Sequence, residues 1–135
     1  MTQEDKELLF KDICARLPYG VKVESVFINP DTKEHISCGI EVFNATSLLM
    51  IRDGLGEFKP YLFPLSSMTE EQKKTLKVLC DWNDEEADAQ SILVLYQKHF
   101  VMKSDVIDWL HKNHFDYRGL IEKGLAIDAT GLNIY

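Results

Sequence analysis

The spacing of apolar residues changes near residue 69, and this change limits the folds that the chain can adopt. Before it, short runs rich in β-branched and aromatic residues alternate with turn formers, a pattern typical of strands. After it, apolar residues recur three and four positions apart, which indicates helices. The boundary carries Thr69-Glu70-Glu71-Gln72, a capping box that marks a helix start. Strands and helices that are segregated in this way predict an α+β fold.

One helix is predicted before the strands. Thr2 and Asp5 resemble a capping box. Pro18 ends the helix, because the residue before a proline is pushed out of the helical region. The buried stripe is predicted from apolar residues at helical spacing, namely Leu9, Phe10, Ile13, Cys14 and Leu17.

A hairpin is predicted next. Runs over 21–28 and 34–44 enclose the turn formers of 29–33. The imperfect alternation of the first run indicates a bulge or the end of the strand. Short connections of this kind favour antiparallel pairing.

Two more strands are predicted over 48–52 and 58–65, on either side of the turn Asp53-Gly54-Leu55-Gly56. Pro60 and Pro64 interrupt the second of these, which assigns it to a sheet edge or an extended arm. The predicted sheet therefore has three or four strands, most of them antiparallel.

Three or four helices are predicted after the sheet. The apolar run of 90–100 fits a strand or a helix, and its residue spacing favours a helix. Ser104 is the expected cap of the following helix. The segment 115–118 is predicted to be a turn or the start of a short helix, which Gly124 ends in the left-handed conformation before an irregular tail. The predicted core positions of these helices are Leu76, Leu79, Cys80, Ile92, Leu95, Tyr96, His99, Val106, Ile107 and Leu110.

The length of 135 residues predicts one α+β domain over 1–135. Such a domain can fold without a metal or a disulfide. The content of 45% hydrophobic residues excludes global disorder despite a net charge of −7. Cys14, Cys38 and Cys80 lie far apart in apolar patterns, which predicts three buried free thiols.

The charge pattern and the N-terminus restrict the partners and the location. No segment is strongly basic, which disfavours binding to nucleic acid. No apolar run approaches the ~20 residues that span a bilayer, and the acidic N-terminus does not resemble a signal peptide. We therefore expect a cytoplasmic protein without membrane contact. The acidic runs are interpreted as solvated faces, since a nucleic-acid mimic needs a greater charge density.

Motifs of common enzymes are missing from the sequence. It contains no Gly-x-Ser-x-Gly elbow, no P-loop and no Gly-x-Gly-x-x-Gly fingerprint. His111 and His114, with Asp108 one turn earlier, have a spacing that could place metal ligands on adjacent turns. The alternative is that they are surface or capping histidines near a helix end. We favour this alternative and expect no cofactor.

The cluster Phe115, Asp116, Tyr117 and Arg118 is the candidate binding site. Tyrosine and arginine are enriched among the residues that dominate the energy of protein interfaces. The alternative is structural: Phe115 and Tyr117 complete the core, and Arg118 pairs with Asp116 or an earlier carboxylate.

The residues around this cluster resemble those of a group of small proteins from phages and mobile elements of gut anaerobic bacteria. The similar stretches are Ala15-Arg16-Leu17-Pro18-Tyr19-Gly20-Val21, Lys59-Pro60-Tyr61 with Pro64 and Ser66-Ser67-Met68-Thr69, and Asp108-Trp109-Leu110 with His114-Phe115-Asp116-Tyr117-Arg118-Gly119-Leu120-Ile121-Glu122-Lys123-Gly124-Leu125-Ala126. The resemblance implies a bacterial or phage context and an intracellular location. It implies no catalytic residues.

These observations together favour a non-enzymatic protein-interaction or accessory domain, present as a monomer or a homodimer. The alternative is an enzyme or a ligand-binding domain whose site is assembled from dispersed residues, such as His35, His99 or His111 with a carboxylate.

Overall fold

A computed structural model describes residues 2–82, 87–99 and 102–135, which contain five helices and five strands. The helices are α1 (Gln3–Ala15), α2 (Ala45–Arg52), α3 (Glu70–Leu79), α4 (Ala89–His99) and α5 (Ser104–Lys112). The strands are β1 (Lys22–Ile28), β2 (His35–Val42), β3 (Gly56–Pro64), β4 (Phe115–Asp116) and β5 (Ile127–Asp128). The α+β prediction is confirmed: an N-terminal helix, a mixed and mostly antiparallel sheet, and then several helices.

The sheet has the order β2-β1-β3-β4, and β5 also pairs with β3. β1 is antiparallel to both β2 and β3, whereas β4 and β5 run parallel to β3. β3 changes neighbours along its length, because residues 56–60 pair with β1 and residues 61–64 pair with β5 and β4. β3 therefore joins the N-terminal hairpin to the last part of the chain.

The predicted hairpin is confirmed, and its pairing contains a bulge, but on the second strand instead of the first strand, where it was predicted. Ser25 faces Gly39 while Val26 faces Ser37, so Cys38 is the extra residue and the bulge lies in β2. Gly39 has a φ of +82°, a backbone conformation that residues with a Cβ rarely adopt.

The prediction of a strand over 48–52 is wrong, because these residues belong to α2. The Asn44 side chain accepts hydrogen bonds from the N–H groups of Thr46 and Ser47, and the Asn44 N–H donates to Ser47 Oγ. This capping box starts a helix where the short apolar run alone could form either element.

The assignment of the fourth strand to a sheet edge is also wrong, because β3 lies inside the sheet. The Ile28 N–H donates to the Leu55 carbonyl at 2.8 Å and extends the β1–β3 register by one pair. Bonded positions alternate in an antiparallel ladder. Pro60, which faces Val23, therefore occupies a non-bonded position, and its missing N–H costs the β1–β3 ladder nothing. Pro64 is the last paired residue of the strand.

The tail is not irregular throughout, because it contributes β5 and a bridge made by Tyr135. The Lys22 N–H donates to Tyr135 Oη at 2.8 Å, and the Tyr135 hydroxyl donates to the Tyr61 carbonyl at 2.8 Å. The hydroxyl group therefore bridges Lys22 and Tyr61, the pair of residues at which β3 separates from β1, in place of a direct backbone hydrogen bond. Burial raises the pKa of Tyr135 to about 12.

The three predicted helices after the sheet are confirmed as α3, α4 and α5, and the Thr69 capping box is present. Ser104 is the first residue of α5, and the cap position holds Lys103 without a side-chain cap, so that capping prediction is wrong. The acidic run over 84–88 falls largely on residues 83–86, which lie outside the described residues.

The segment after α5 was predicted as a turn or short helix, but Phe115 and Asp116 form β4, paired with β3. Residues 120–123 form a turn, after which Gly124 has a φ of +72°. The Leu125 N–H donates to the Leu120 carbonyl at 2.9 Å, and the buried Leu125 side chain supplies the expected apolar contact.

The buried apolar residues form two clusters. The first contains Ile13, Val21, Val23, Phe43, Phe58, Leu62, Leu120, Leu125 and Ala126. The second contains Met68, Leu76, Cys80, Ala89, Ile92, Leu93, Tyr96, Val106, Leu110 and Phe115. The first brings the ends of the chain together on the sheet, and the second lies among α3, α4 and α5.

Three predicted core positions are exposed instead. Phe10 exposes 48% of its surface and Leu95 exposes 40%. Cys38 is exposed with the rest of β2, whereas Cys80 is buried and Cys14 is half-buried. An alternating or helical pattern predicts which residues share a face, but other parts of the chain decide whether that face is covered.

Candidate functional site

Two members of the predicted cluster, Phe115 and Asp116, are buried structural residues. The Phe115 ring stacks on Trp109, with centroids 5.6 Å apart. The Asp116 carboxylate accepts hydrogen bonds from the N–H groups of Arg118, Leu120 and Ile121 at 2.9–3.3 Å. Asp116 therefore holds the loop after β4 and has few acceptor positions left for a partner.

Tyr117 and Arg118 are half-buried and face other parts of the chain. The Tyr117 hydroxyl lies 2.8 Å from His111 Nε2. The Arg118 guanidinium lies 5.1 Å from the centre of the Tyr117 ring, and its Nη1 is 3.5 Å from Asp12 Oδ1. The structural alternative for this cluster therefore has direct support, since Arg118 pairs with an earlier carboxylate. Tyr117 also lines a cavity of about 200 Å³ beside α4.

The pair Asp12 and Arg16 completes this cluster and was missed by sequence reasoning. Both side chains are fully buried, with Arg16 Nε 2.8 Å from Asp12 Oδ2. Arg16 Nη2 also donates to the Phe115 carbonyl at 2.7 Å. The signal in the sequence is the i,i+4 spacing of opposite charges beside the apolar stripe of α1. The guanidinium groups of Arg16 and Arg118 thus both lie beside the Asp12 carboxylate and beside the Tyr117 ring.

The two histidines of α5 and its C-terminal turn are neutral at pH 7. Burial, together with the charge of Arg16, lowers the pKa of His111 to about 4 and that of His114 to about 4. His114 stacks on Tyr135, with ring centroids 3.6 Å apart. Asp108 accepts a hydrogen bond from the Tyr19 hydroxyl at 2.8 Å.

These contacts do not make a metal centre. His111 Nε2 is engaged with Tyr117, and Asp108 with Tyr19. Within residues 2–82, 87–99 and 102–135, no group of three or more histidine, cysteine, aspartate or glutamate side chains could hold a metal ion.

The dispersed histidines of the alternative site do not converge where they are described. His35 is exposed, and its Nδ1 lies 3.9 Å from Glu57 Oε2. His111 is buried against Tyr117 and Tyr19. The side chain of His99 lies outside the described part of the structure.

A groove of about 390 Å³ lies between α1 and the sheet, apart from the cluster around Tyr117. Ligand sites typically enclose 300–1,000 Å³ and are mostly apolar. The apolar lining residues are Leu9, Phe10, Ile13, Val26, Ile28, Ile51 and Phe58. Phe10 exposes about half of its surface here, so α1 presents part of its apolar stripe to the groove instead of to the core.

The charges around the groove are balanced. Its lining contains two lysines and two glutamates, Lys6, Lys59, Glu24 and Glu57. Glu24 faces Lys59 across β1 and β3. Such a lining can accept an apolar group without selecting strongly for a charge of either sign.

Among the described residues, no helix has the length and apolar character needed to cross a membrane. Comparisons with protein families, curated proteins and solved structures find no match for this chain.

Proposed function

We propose that this chain is a non-enzymatic interaction domain that holds an apolar segment of a partner protein in the groove between α1 and the sheet. The observation that carries the proposal is the Phe10 ring, 48% exposed at a groove of about 390 Å³. Exposed aromatic rings beside concave apolar surfaces are common anchors of protein interfaces.

The lining of the groove supports a partner segment of defined chemistry. Its apolar floor accepts aliphatic or aromatic side chains, and its balanced charges favour a segment with little net charge. The net charge of −7 disfavours nucleic acids and anionic membrane surfaces as partners.

The biological setting belongs to the same proposal. The resemblance to phage and mobile-element proteins supports a bacterial origin and action in the cytoplasm. The assignment of the interface to Phe115, Asp116, Tyr117 and Arg118 stays a prediction. We place the partner at the groove because the side chains of that cluster mainly contact other residues of the chain.

Affinity capture from a lysate of the bacterial host tests the proposal. We expect the tagged chain to retain a partner and Phe10→Lys to lose it, because a charged side chain at the groove disrupts apolar contact. Val78→Lys is the matched control, since Val78 is 75% exposed on α3 and does not line the groove. Equal capture by Phe10→Lys, or no capture by any folded protein at low salt, contradicts the proposal.

A small apolar ligand is the second candidate, and the volume of the groove favours it. Native mass spectrometry of the purified chain would then detect a bound molecule that is absent from Phe10→Lys. An apolar dye that fluoresces with the wild-type chain and not with this variant would also support occupancy of the groove by a small molecule.

A further inference from the structure

The outer side of β2 is a free strand edge within the described residues. β2 is the first strand in the sheet order, and all eight of its residues are exposed. Ile36, Ile40 and Val42 expose 44%, 55% and 47% of their surfaces. A free edge presents N–H and C=O groups on which another strand can pair.

The hydrogen bonds of the hairpin determine which backbone groups point outward. At one end, the Phe43 N–H donates to the Val21 carbonyl; at the other, the Asn29 N–H donates to the Glu34 carbonyl. Bonded positions alternate from both ends, and the bulge at Cys38 shifts the alternation by one residue. The residues of β2 whose N–H and C=O point away from β1 are therefore His35, Ser37, Ile40 and Val42.

These four positions are symmetric about the bond between Cys38 and Gly39. A second copy that runs antiparallel about a twofold axis at this point places its Val42 opposite His35 and its Ile40 opposite Ser37. Both members of each pair point outward, so each pair can exchange two backbone hydrogen bonds. The Val42 carbonyl also accepts a hydrogen bond from the Asn44 side-chain amide at 3.2 Å, and its second lone pair is left for the second copy. Such an interface uses the same surface on both copies, as in most protein dimers.

The bulge favours a second copy over an unrelated straight strand. A straight strand that pairs with Ser37 falls out of register at Ile40, because β2 has an additional residue between them. A second copy carries the same bulge at the same place. Pairing can therefore continue on both sides of the axis.

The side chains are compatible with this register. His35 faces Val42 of the second copy, and Glu41 faces its Ile36, so no two like charges are directly opposed.

The net charge of −7 on each copy opposes association at long range. Salt screens this repulsion, so association should strengthen as ionic strength rises.

We propose that β2 is a self-association edge, on which two copies pair antiparallel about Cys38–Gly39 and join their five-stranded sheets into one. This surface is separate from the groove that lies beside Phe10.

Sedimentation of the full chain tests the proposal first. We expect a concentration-dependent dimer that Val42→Lys weakens at least about tenfold, because lysine on a strand edge opposes pairing. Ile40→Pro should abolish it by removing an outward N–H, while Ile40→Thr, which keeps that N–H, should retain it. A wild-type chain that stays monomeric up to about 1 mM overturns the proposal, as does a dimer that neither folded Val42→Lys nor Ile40→Pro weakens.

Cross-linking then tests the register without any change to the strand. In the double variant Cys14→Ser/Cys80→Ala, Cys38 is the one remaining cysteine and therefore the one thiol that can form a disulfide. Oxidation by copper phenanthroline should form a Cys38–Cys38 covalent dimer at least about tenfold faster than in a control whose single cysteine is Val78→Cys. Equal rates for the two proteins overturn the proposed axis. Phe10→Lys should leave both results unchanged, which separates this proposal from the one on the groove.

Discussion

Asp12 and Arg16 lie one turn apart on α1 and form a fully buried ion pair. Removal of one partner from such a pair is costly, because it leaves the other charge without compensation in a poorly solvated place. Arg16 also donates to the Phe115 carbonyl and thereby links α1 to β4. Arg118 adds a longer contact to the same carboxylate and is 20% exposed.

Arg16 and Arg118 should therefore differ in their effects on stability. We expect Arg16→Ala to lower the free energy of unfolding by at least about 3 kcal/mol. Arg118→Ala should cost about 1 kcal/mol, because Asp12 keeps its bonds to Arg16. Urea unfolding measures both, with Arg52→Ala as a control at an exposed pair that should cost less than about 0.5 kcal/mol. Equal losses for Arg16→Ala and Arg118→Ala would contradict this account.

The sequence predicts single residues well where a local hydrogen bond decides the conformation. Gly124 and the Thr2 and Thr69 capping boxes are of this kind. The sequence does not reveal the burial of Arg16, because two of the groups that cover Arg16, the Phe115 carbonyl and the Tyr117 ring, lie about a hundred positions away.

α2 begins at a cap that outweighs the strand preference of its apolar residues. Four of its eight residues are exposed, among them Leu49 at 50%. A short helix of eight residues is marginal without tertiary contacts or caps. The Asn44 side chain is therefore expected to contribute a substantial part of its stability.

Asn44→Ala should destabilise the chain by about 1 kcal/mol, because two N–H groups of the first turn lose their acceptor. Asn44→Asp, which keeps an acceptor at the same place, should recover most of that loss. Thermal unfolding compares the three proteins. An alanine variant with the wild-type melting temperature would show that packing alone holds α2.

Strand positions are predicted less well than helices in this chain for a physical reason. Helix patterns, caps and stops lie within a few residues of one another, whereas the place of β3 depends on β4 and β5, which follow it by more than fifty residues. Pro60 can stand in an interior strand because its position forms no hydrogen bond to β1. No pattern in the neighbouring sequence, however, shows that β3 is an interior strand.

The buried His111 and the half-buried His114 connect the stability of the whole molecule to pH. Both His111 and His114 have a folded-state pKa near 4, below the value of about 6.5 expected in the unfolded chain. Between these values the unfolded chain binds more protons than the folded one. The free energy of unfolding therefore falls as the pH is lowered through this window.

Urea unfolding at pH 7 and at pH 5 should show this loss, with His111 contributing on the order of 1 kcal/mol. His111→Gln, which cannot titrate, should lower the pH dependence. His35→Gln, at an exposed histidine, is the control substitution with which the effect of His111→Gln is compared. A slope that His111→Gln does not reduce would contradict the assignment.

The pairing of β3 with the last part of the chain has a consequence for protein synthesis. Leu120, Leu125 and Ala126 close the cluster that Ile13 and Val21 begin. While the chain emerges from the ribosome, the apolar surfaces of α1 and of the β1–β2 hairpin therefore stay uncovered until residues 120–126 have been synthesised. A nascent chain stalled before residue 115 should be protease-sensitive and retained by chaperones, although its first three strands are complete.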